Sequence, residues 1–296
     1  MAKIKIGSIE IQTSNEKKIL FPKSKITKGD LIDYYAKISD IMIPYIANRP
    51  VTMHRFPNSI HEGFFYKDAA SYFPKWMKRF KVAKKEGGHT NYIVCNNKAS
   101  LVYLANQAVI TPHIWLSQID KIKFPDRMIF DFDPEKQTFK TICKFVLKFK
   151  KLLDSFDITS FVMTTGSRGL HVVIPLDKSA TFKESKKCAK LIAQEFIKMY
   201  PDDFTMEVRK NKRQGKIFLD TLRNEFAQTG VAPYAVRAIE KAPVATPLEW
   251  REVSKTSSAQ KFNINNIFKR LSRKKDPWHS IQDHKTSIKK IMTHLR

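Results

Sequence analysis

Two aspartates at the end of an apolar run, Asp131 and Asp133, carry the strongest chemical signal in the sequence. The run Arg127-Met-Ile-Phe-Asp-Phe-Asp-Pro-Glu135 has the composition of a buried strand. Because side chains two apart on a strand face the same way, both carboxylates point into one space, with Phe130 and Phe132 on the other side. Such close like charges repel, and a divalent cation such as Mg²⁺ or Mn²⁺ would relieve the repulsion.

A second apolar run supplies a third carboxylate. The stretch Lys216-Ile-Phe-Leu-Asp220 also ends in an aspartate, and Arg223 follows three residues later. Three acidic strand ends beside arginines suggest metal-assisted phosphoryl transfer. Taken alone, Asp-x-Asp also fits a strand that leaves the core at a proline turn, or a glycosyltransferase that binds a metal–nucleotide sugar. The rest of the chain has to decide among these interpretations.

Other polar segments are candidates for phosphate binding. Thr164-Thr-Gly-Ser-Arg-Gly-Leu-His171 contains two glycines that allow backbone N–H groups, hydroxyls and Arg168 to approach phosphate oxygens. Its spacing matches neither a Walker A motif nor a dinucleotide fingerprint, and an ordinary polar hairpin turn fits it as well. Arg213, Arg223 and Arg237 flank predicted strands or turns near the acids, and guanidinium groups match phosphate oxygens in geometry.

A second candidate phosphate site lies near the N-terminus. Ser14-Asn-Glu-Lys-Lys18 precedes Thr27-Lys28, where a helix is predicted to begin, and a helix N-terminus with lysines favours a phosphate. Phe64 and Phe65 lie on a short predicted strand, so one of them is expected to face outward and to be able to stack on a base. One core and one surface phenylalanine is the purely structural alternative.

The elements that must position these residues form an irregular mixture. Strands are predicted over residues 3–12, 49–57, 63–67, 92–95, 160–164, 171–175 and 216–220. Helices are predicted over 27–46, 100–107, 139–156 and 182–200. Without a regular strand–helix–strand rhythm, an α+β fold is favoured over a doubly wound sheet. Residues 1–296 are expected to form one domain, with a short exposed segment at 243–250 and a basic C-terminal segment from about 257, whose packing the sequence leaves open.

The composition favours a polyanionic partner. The chain has 54 Lys and Arg against 28 Asp and Glu, a formal charge of +26, and the positive charges are interleaved with aromatic residues as in nucleic-acid-binding proteins. A lysine-rich proteome would give the same charge. Three widely spaced cysteines argue against a zinc site or a disulfide framework and fit a reducing cytoplasm. No signal peptide or membrane span is expected, since no run of about 18 uncharged apolar residues occurs.

Taken in order from about Ser14 to Trp278, the motifs resemble the polymerase domain of bacterial DNA ligase D. That domain belongs to the archaeo-eukaryotic primase superfamily and acts in non-homologous end joining. The segments that carry the resemblance are Lys18-Ile-Leu-Phe-Pro22, Thr27-Lys-Gly-Asp-Leu-Ile32, Arg49-Pro-Val51, Phe64-Phe65, His113, Trp115-Leu-Ser117, Phe130-Asp-Phe-Asp-Pro134, Thr165-Gly-Ser-Arg-Gly-Leu-His171, Asp220, Leu222-Arg-Asn224, Ala232-Pro-Tyr-Ala-Val-Arg237, Ala242-Pro-Val244 and Asp276-Pro-Trp278. The resemblance implies a primase-like core of mixed, largely antiparallel sheets flanked by helices.

The resemblance also implies a role for each matched residue. Two Mg²⁺ or Mn²⁺ ions would be held by the catalytic carboxylates Asp131, Asp133 and Asp220. The incoming nucleotide would be contacted by Thr165, Ser167, His171, Arg213 and Arg223, with Arg237 as a further active-site residue. The downstream 5′-phosphate of a DNA gap would be captured by Asn15, Lys18 and Lys28. Phe64 or Phe65 would stack on the template, and His113 falls where the family has a functional histidine.

The expected function is that of a template-dependent nucleotidyltransferase that fills or extends gaps at broken DNA ends. By the same resemblance we expect NTPs and dNTPs as substrates with a preference for ribonucleotides, Ku and a DNA ligase as partners, and a bacterial cytoplasmic location. Position 165 is Thr where Ser is usual, and the sequence has no Lys-x-Asp-Gly adenylation motif, so no ligase activity is expected. A primase of the same superfamily has no need of a 5′-phosphate pocket. A non-catalytic DNA-end-binding protein would leave the three aspartates unexplained.

Overall fold

Strands and helices alternate irregularly along the computed structural model, which describes residues 3–84 and 86–295. The strands are β1 (Lys3–Ile6), β2 (Ile9–Gln12), β3 (Ile19–Phe21), β4 (Ile26–Thr27), β5 (Pro50–Arg55), β6 (Phe64–Tyr66), β7 (Arg79–Ala83), β8 (His89–Val94), β9 (Val109–Trp115), β10 (Arg127–Asp133), β11 (Phe161–Thr164), β12 (Leu170–Pro175), β13 (Phe204–Thr205), β14 (Ile217–Asp220), β15 (Thr229–Val231) and β16 (Pro247–Leu248). The helices are α1 (Lys28–Ile46), α2 (Lys98–Asn106), α3 (Phe139–Ser155), α4 (Phe182–Met199), α5 (Ile267–Leu271) and α6 (Ile288–Thr293). Across these described residues, no helix has the length and apolar character needed to cross a membrane.

Two six-stranded sheets organise the fold. The first sheet has the order β13-β14-β10-β12-β11-β16, and the second has the order β15-β9-β5-β8-β7 with β6 paired to β5. The pairs within these sheets are antiparallel except β13–β14. This confirms the predicted α+β class with largely antiparallel sheets. Strand β9, which was not predicted from the sequence, is fully buried between β15 and β5 of the second sheet.

The first sheet separates two hydrophobic cores, and this fixes the direction of the acidic side chains. Phe130 and Phe132 are fully buried on the face covered by α3 and α4, where both rings lie against Phe149 at 4.8 and 5.2 Å. Ile129 faces the other core, which the second sheet shares. Because neighbours alternate along a strand, Asp131 lies on the side of Ile129 and faces the second sheet.

Helix α1 begins where the sequence predicted. Thr27 accepts a hydrogen bond from the backbone N–H of Asp30, and the Asp30 carboxylate accepts one from the backbone N–H of Thr27, forming a capping box. This cap satisfies two backbone groups that would otherwise lack partners at a helix start. It also places Lys28 at the first helical residue, beside the segment that contains Asn15 and Lys18.

The predicted exposed segment at 243–250 is wrong, because residues 242–248 are buried. Val244 donates its N–H to the carbonyl of Phe262, and Thr246 exchanges backbone hydrogen bonds with Thr164. The C-terminal segment packs over this region. Trp278 is 1% exposed and donates its indole N–H to the carbonyl of Val162 at 3.0 Å. Residues far apart in sequence therefore bury a stretch whose local composition resembles a surface loop.

Candidate active site

The three predicted catalytic aspartates lie on adjacent strands of the first sheet. Strand β10 runs between β12 and β14, so Asp131 is directly opposite Asp220 on one side and His171 on the other. Directly opposed residues on antiparallel strands bring their side chains within about 5 Å. The register thus assembles an acidic pair and a histidine from three separate stretches of sequence.

These residues border a cleft of about 160 Å³ between the two sheets. The second sheet contributes His113 from β9 and Val231 from β15. The full lining is His113, Asp131, Asp133, Thr165, Ser167, Arg168, Gly169, His171, Arg223, Val231 and Arg237. Of the residues that the sequence assigned to the metal and nucleotide sites, Asp220 and Arg213 are not in this lining, although Asp220 is paired with Asp131.

Asp131 is held as a carboxylate. Burial alone raises its pKa, but His171 and Arg223 outweigh burial and set the pKa of Asp131 at about 2. His171 Nε2 and Arg223 Nη2 each lie 3.4 Å from Asp131 Oδ2. The negative charge of Asp131 is therefore present at any physiological pH and is available to a cation.

The pKa values of Asp133 and Asp220 are shifted in the opposite direction, above their usual value. Burial raises the pKa of Asp133, with Arg168 opposing the shift and the charge of Asp131 adding to it. Burial also raises the pKa of Asp220, where Arg223 opposes the shift and Asp131 adds to it. Arg168 Nη2 donates to both oxygens of Asp133, at 2.8 and 3.1 Å. The carboxylates thus crowd one another, and arginines supply part of the compensating positive charge.

The same three carboxylates are the candidates for holding divalent ions, and their chemistry suits such ions. Hard oxygen donors crowded at a strand end are the ligands that Mg²⁺ and Mn²⁺ prefer. A cation would also relieve the repulsion from Asp131, which adds to the effect of burial on the pKa values of Asp133 and Asp220. Across residues 3–84 and 86–295, no three His, Cys, Asp or Glu side chains converge on one ion position. Because Arg168 already contacts both oxygens of Asp133, an ion at Asp133 would compete with Arg168.

The loop between β11 and β12 is closed by its own side chain. Thr165 Oγ1 donates to the carbonyl of Gly169 at 3.1 Å and accepts from the N–H groups of Ser167 and Gly169 at 3.2 Å. A Cβ at position 169 would lie 2.0 Å from the carbonyl oxygen of Phe132, so only glycine fits there. Threonine in place of serine keeps the hydroxyl that closes this loop.

Two further arginines lie near the loop, Arg237 in the cleft lining and Arg213 outside it. Arg237 Nη1 donates to the carbonyl of Thr165 at 2.9 Å, and burial lowers the pKa of Arg237. Arg213 stacks over the Phe218 ring at 4.0 Å and lies 3.8 Å from Glu135. Arg237 therefore acts on the cleft directly, whereas Arg213 is at its edge.

His113 forms the far wall of the cleft. It is 8% exposed, and neither of its ring nitrogens has a hydrogen-bond partner among the described residues. Burial lowers the pKa of His113 well below 6.5, and Arg237 and Arg223 add to this shift. The ring is therefore neutral at pH 7, with one donor and one acceptor that a bound ligand can use.

An aromatic cluster extends from His113 to the surface. His113 contacts Phe65 edge-on at 5.3 Å, and Phe65 stacks on His54 at 4.0 Å. Phe64 and Phe65 are 43% and 57% exposed, so both phenylalanines face solvent and neither belongs to the core. His54 pairs with Phe65 and Thr111 on the neighbouring strands, and no local pattern in the sequence indicated a role for it.

The predicted 5′-phosphate residues surround the start of α1. Lys28 donates its backbone N–H to the carbonyl of Lys18 at 2.8 Å, and Lys18 donates its own to the carbonyl of Asn15 at 3.0 Å. The Lys28 side chain is 5% exposed, and its Nζ donates to Asn106 O and Ser14 Oγ. Burial lowers the pKa of Lys28, and the charge of Lys18 adds to this shift. The negative charge of Glu16 opposes this shift, and the two hydrogen-bond acceptors of the Lys28 ammonium are neutral.

Comparison with known proteins identifies the relatives of this chain. Residues 27–278 match the family model described as LigD, primase-polymerase domain. The chain is 34% identical over 248 residues to the multifunctional non-homologous end joining protein LigD of Mycolicibacterium smegmatis, covering 82% of this chain and 32% of that protein. It is 33% identical over 272 residues to the bifunctional LigD of Bacillus subtilis, covering 91% and 44%. The chain thus spans less than half the length of these relatives.

One solved structure is similar over nearly its whole length. The polymerase domain from Mycobacterium tuberculosis ligase D in complex with DNA superposes with a TM-score of 0.85 at 28% identity, covering 93% of this chain and 99% of that one. A match of this extent leaves out only a small part of the chain. The agreement supports the fold described above.

Proposed function

Because this chain belongs to the LigD primase-polymerase family, whose domains are nucleotidyltransferases, we propose that it extends a DNA primer by template-directed addition of nucleotides at broken ends. Gaps and overhangs in non-homologous end joining would be its substrates. The observation that carries the proposal is the pairing of Asp131 with Asp220 and His171 across three strands, inside a cleft that also contains arginines.

The charge of the cleft supports a nucleotide triphosphate as its ligand. Three aspartates at the cleft and its border face three arginines, Arg168, Arg223 and Arg237. Two divalent ions add four positive charges and a triphosphate adds about four negative ones, so their joint binding preserves the balance. A triphosphate alone, or the ions alone, would leave the cleft strongly charged.

The carboxylates would hold the metal ions, and the cationic and hydroxyl side chains would bind the nucleotide. Asp131, Asp133 and Asp220 would hold two ions, Mg²⁺ or Mn²⁺, which when bound supply activation of the primer 3′-hydroxyl and neutralisation of the leaving pyrophosphate. Arg223, positioned at both Asp131 and Asp220, would bind phosphate oxygens. The remaining nucleotide contacts would come from Thr165, Ser167, His171, Arg213 and Arg237.

His113 would orient the nucleotide from the opposite wall, since its unpartnered ring nitrogens can pair with a sugar or base group. The exposed ring of Phe65, already stacked on His54, would extend that stack to a template base.

We further propose a preference for ribonucleotides, Ku and a DNA ligase as partners, a single domain over residues 1–296, and a bacterial cytoplasmic location. These assignments rest on membership of the family.

We expect Lys28→Ala to reduce the preference for gaps whose downstream strand carries a 5′-phosphate. Lys28 is a buried cation with only neutral hydrogen-bond partners, so a phosphate would form a charge-assisted bond worth roughly 1.5–3 kcal/mol, or about 10- to 100-fold in affinity. Extension rates on phosphorylated and hydroxyl gaps would be compared. The exposed neighbour Lys17→Ala serves as control, and an unchanged phosphate preference in Lys28→Ala would refute the pocket.

We expect Arg168→Gln to tighten Mn²⁺ binding in the absence of nucleotide by up to about 5-fold. Arg168 occupies both Asp133 oxygens, and a half-exposed ion pair of this kind is worth about 1 kcal/mol or less. Titration of Mn²⁺ followed by electron paramagnetic resonance would measure the affinity. Arg209→Gln, an exposed arginine outside the cleft, is the control. Equal or weaker Mn²⁺ binding by Arg168→Gln would show that Arg168 does not compete with the ion.

The proposed function is tested by extension of a gapped duplex with Mn²⁺, offering rNTPs and dNTPs separately. Downstream strands with a 5′-phosphate and a 5′-hydroxyl would be compared. Template-directed addition that the phosphate stimulates supports an end-joining polymerase. Addition without stimulation indicates a primase-like enzyme, and tight DNA binding without any addition indicates a protein that only binds ends.

A further inference from the structure

A second basic surface lies outside the cleft, in a groove formed by the C-terminal third of the chain. This C-terminal groove has a volume of about 560 Å³, and its cationic lining consists of Arg251, Lys255, Lys261, Arg270, Arg273 and Lys274. Glu252 is the carboxylate in that lining. The groove therefore has a large excess of positive charge, whereas the arginines and aspartates that line the cleft nearly balance one another.

Three of these cations are in ion pairs with carboxylates, and three are not. Arg270 pairs with Glu252, Arg251 pairs with Glu249, and Lys274 bridges both glutamates. Lys255, Lys261 and Arg273 are exposed, and over the described residues no salt bridge joins them to a carboxylate. Unpaired like charges held together in one groove repel, and a polyanion along the groove would relieve this repulsion.

The segment that borders the groove contacts the loop between β11 and β12, here called the active-site loop. Gln260, in the segment that borders the groove, donates its side-chain N–H to the carbonyl of Ser167 at 3.0 Å. The same segment supports Val244 through the carbonyl of Phe262, and the Val244–Ala245 backbone lies against Gly166. A strand of nucleic acid that leaves the cleft past this loop would therefore meet the groove.

The chemistry of the groove favours a phosphate backbone over an acidic protein segment. Its one aromatic side chain, Phe262, is already covered by Arg270 at 4.7 Å and Lys261 at 5.6 Å, so no apolar anchor is offered to a peptide. Several separated, exposed cations along a groove are instead the arrangement that neutralises successive phosphates. Such contacts position a duplex without reading its sequence.

We infer that the C-terminal groove binds the sugar–phosphate backbone of the primer–template duplex and holds it against the active-site loop. The inference rests on the proposed function, because it takes DNA as the substrate. It adds a binding surface formed by Lys255, Lys261 and Arg273, which act on substrate affinity and not on the chemical step.

The test is the triple variant Lys255→Gln, Lys261→Gln, Arg273→Gln in the full chain. Its matched control is Lys183→Gln, Lys187→Gln, Lys190→Gln on α4, which removes the same charge from exposed lysines that do not line the groove. Affinity for a primer–template without a downstream strand would be measured by fluorescence anisotropy at several salt concentrations. Single-turnover nucleotide addition would be measured at saturating DNA.

We expect the groove variant to bind about 10- to 100-fold more weakly near 0.1 M salt, and the slope of log affinity against log salt to become shallower by about 2–3. Its saturated addition rate should equal that of the wild type, and the α4 control should stay within about 3-fold. Equal losses in both triples would reduce the effect to bulk charge and overturn the inference. Unchanged affinity of the groove variant would also overturn it and leave the groove to an acidic protein. If the proposed function were wrong, the wild-type protein would bind DNA without adding nucleotides, and this result differs from both results that overturn the groove inference.

Discussion

Replacing Asp131 by Ala should lower nucleotide addition by at least about 1000-fold while leaving DNA binding near the wild-type level. Asp131 is the carboxylate opposite both Asp220 and His171, and its pKa of about 2 keeps it charged. Loss of a ligand that places catalytic ions removes several kcal/mol of transition-state stabilisation, and each 1.36 kcal/mol is tenfold in rate. Single-turnover extension of a primed template with Mn²⁺ is the measurement.

Two further variants make this result interpretable. Asp131→Asn keeps the shape of the side chain and removes only its charge, so it should be nearly as inactive as the alanine variant. Asp202→Asn, at an exposed position in the turn before β13, removes the same charge elsewhere and should retain full activity. Substantial nucleotide addition by Asp131→Asn would mean that this carboxylate does not hold an ion, and the assignment of Asp131 as a metal ligand would be wrong.

Breaking the buried ion pair between Arg49 and Asp126 should destabilise the fold by about 3–5 kcal/mol. Arg49 is 1% exposed and donates Nη1 to Asp126 at 2.7 Å and Nη2 at 2.5 Å, with two further bonds to the carbonyls of Tyr45 and Trp115. In Asp126→Asn the arginine stays buried without a countercharge. Urea denaturation would give the loss in free energy of unfolding. Glu195→Gln, which breaks the exposed pair with Lys198, should cost under about 0.5 kcal/mol.

The same pair predicts a pH dependence of stability. Burial raises the pKa of Asp126, but Arg49 outweighs burial, and the net effect is a pKa below the usual value. A carboxylate with a lowered pKa in the folded state stabilises the fold at pH values above its unfolded pKa of about 3.9, and this contribution disappears as the pH falls through the folded value. Between about pH 5 and pH 3 the wild type should therefore lose stability more steeply than Asp126→Asn. Parallel curves would show that Asp126 does not titrate in this way.

The position of this pair links stability to the site. Asp126 lies immediately before β10, and Asp131 and Asp133 lie at the other end of that strand. Arg49 also bonds the carbonyl of Trp115 in β9, so the pair fixes β10 against the second sheet. Because the cleft is bounded by both sheets, a shift of β10 would change the distance between the aspartates and His113.

Local rules in the sequence were sufficient for several features of the site. Alternation along one strand placed Asp131 and Asp133 on the side opposite Phe130 and Phe132, and the structure agrees. The capping box at Thr27 marked the start of α1. These features depend on residues a few positions apart, whose geometry the backbone dictates with little influence from the rest of the chain.

Other features depended on contacts between distant residues, and only the tertiary structure decided them. Asp131 and Arg223 are 92 positions apart, and their approach follows from the pairing of β10 with β14, which no local pattern specifies. The segment at 243–250 resembles a surface loop and is nevertheless covered by the C-terminal segment. No local pattern in the sequence indicated that Arg168 would contact Asp133 and so compete with an ion there. Strand register and long-range burial are set by the free energy of packing the whole chain, so the sequence determined which side chains could do chemistry, and the tertiary structure determined which of them meet.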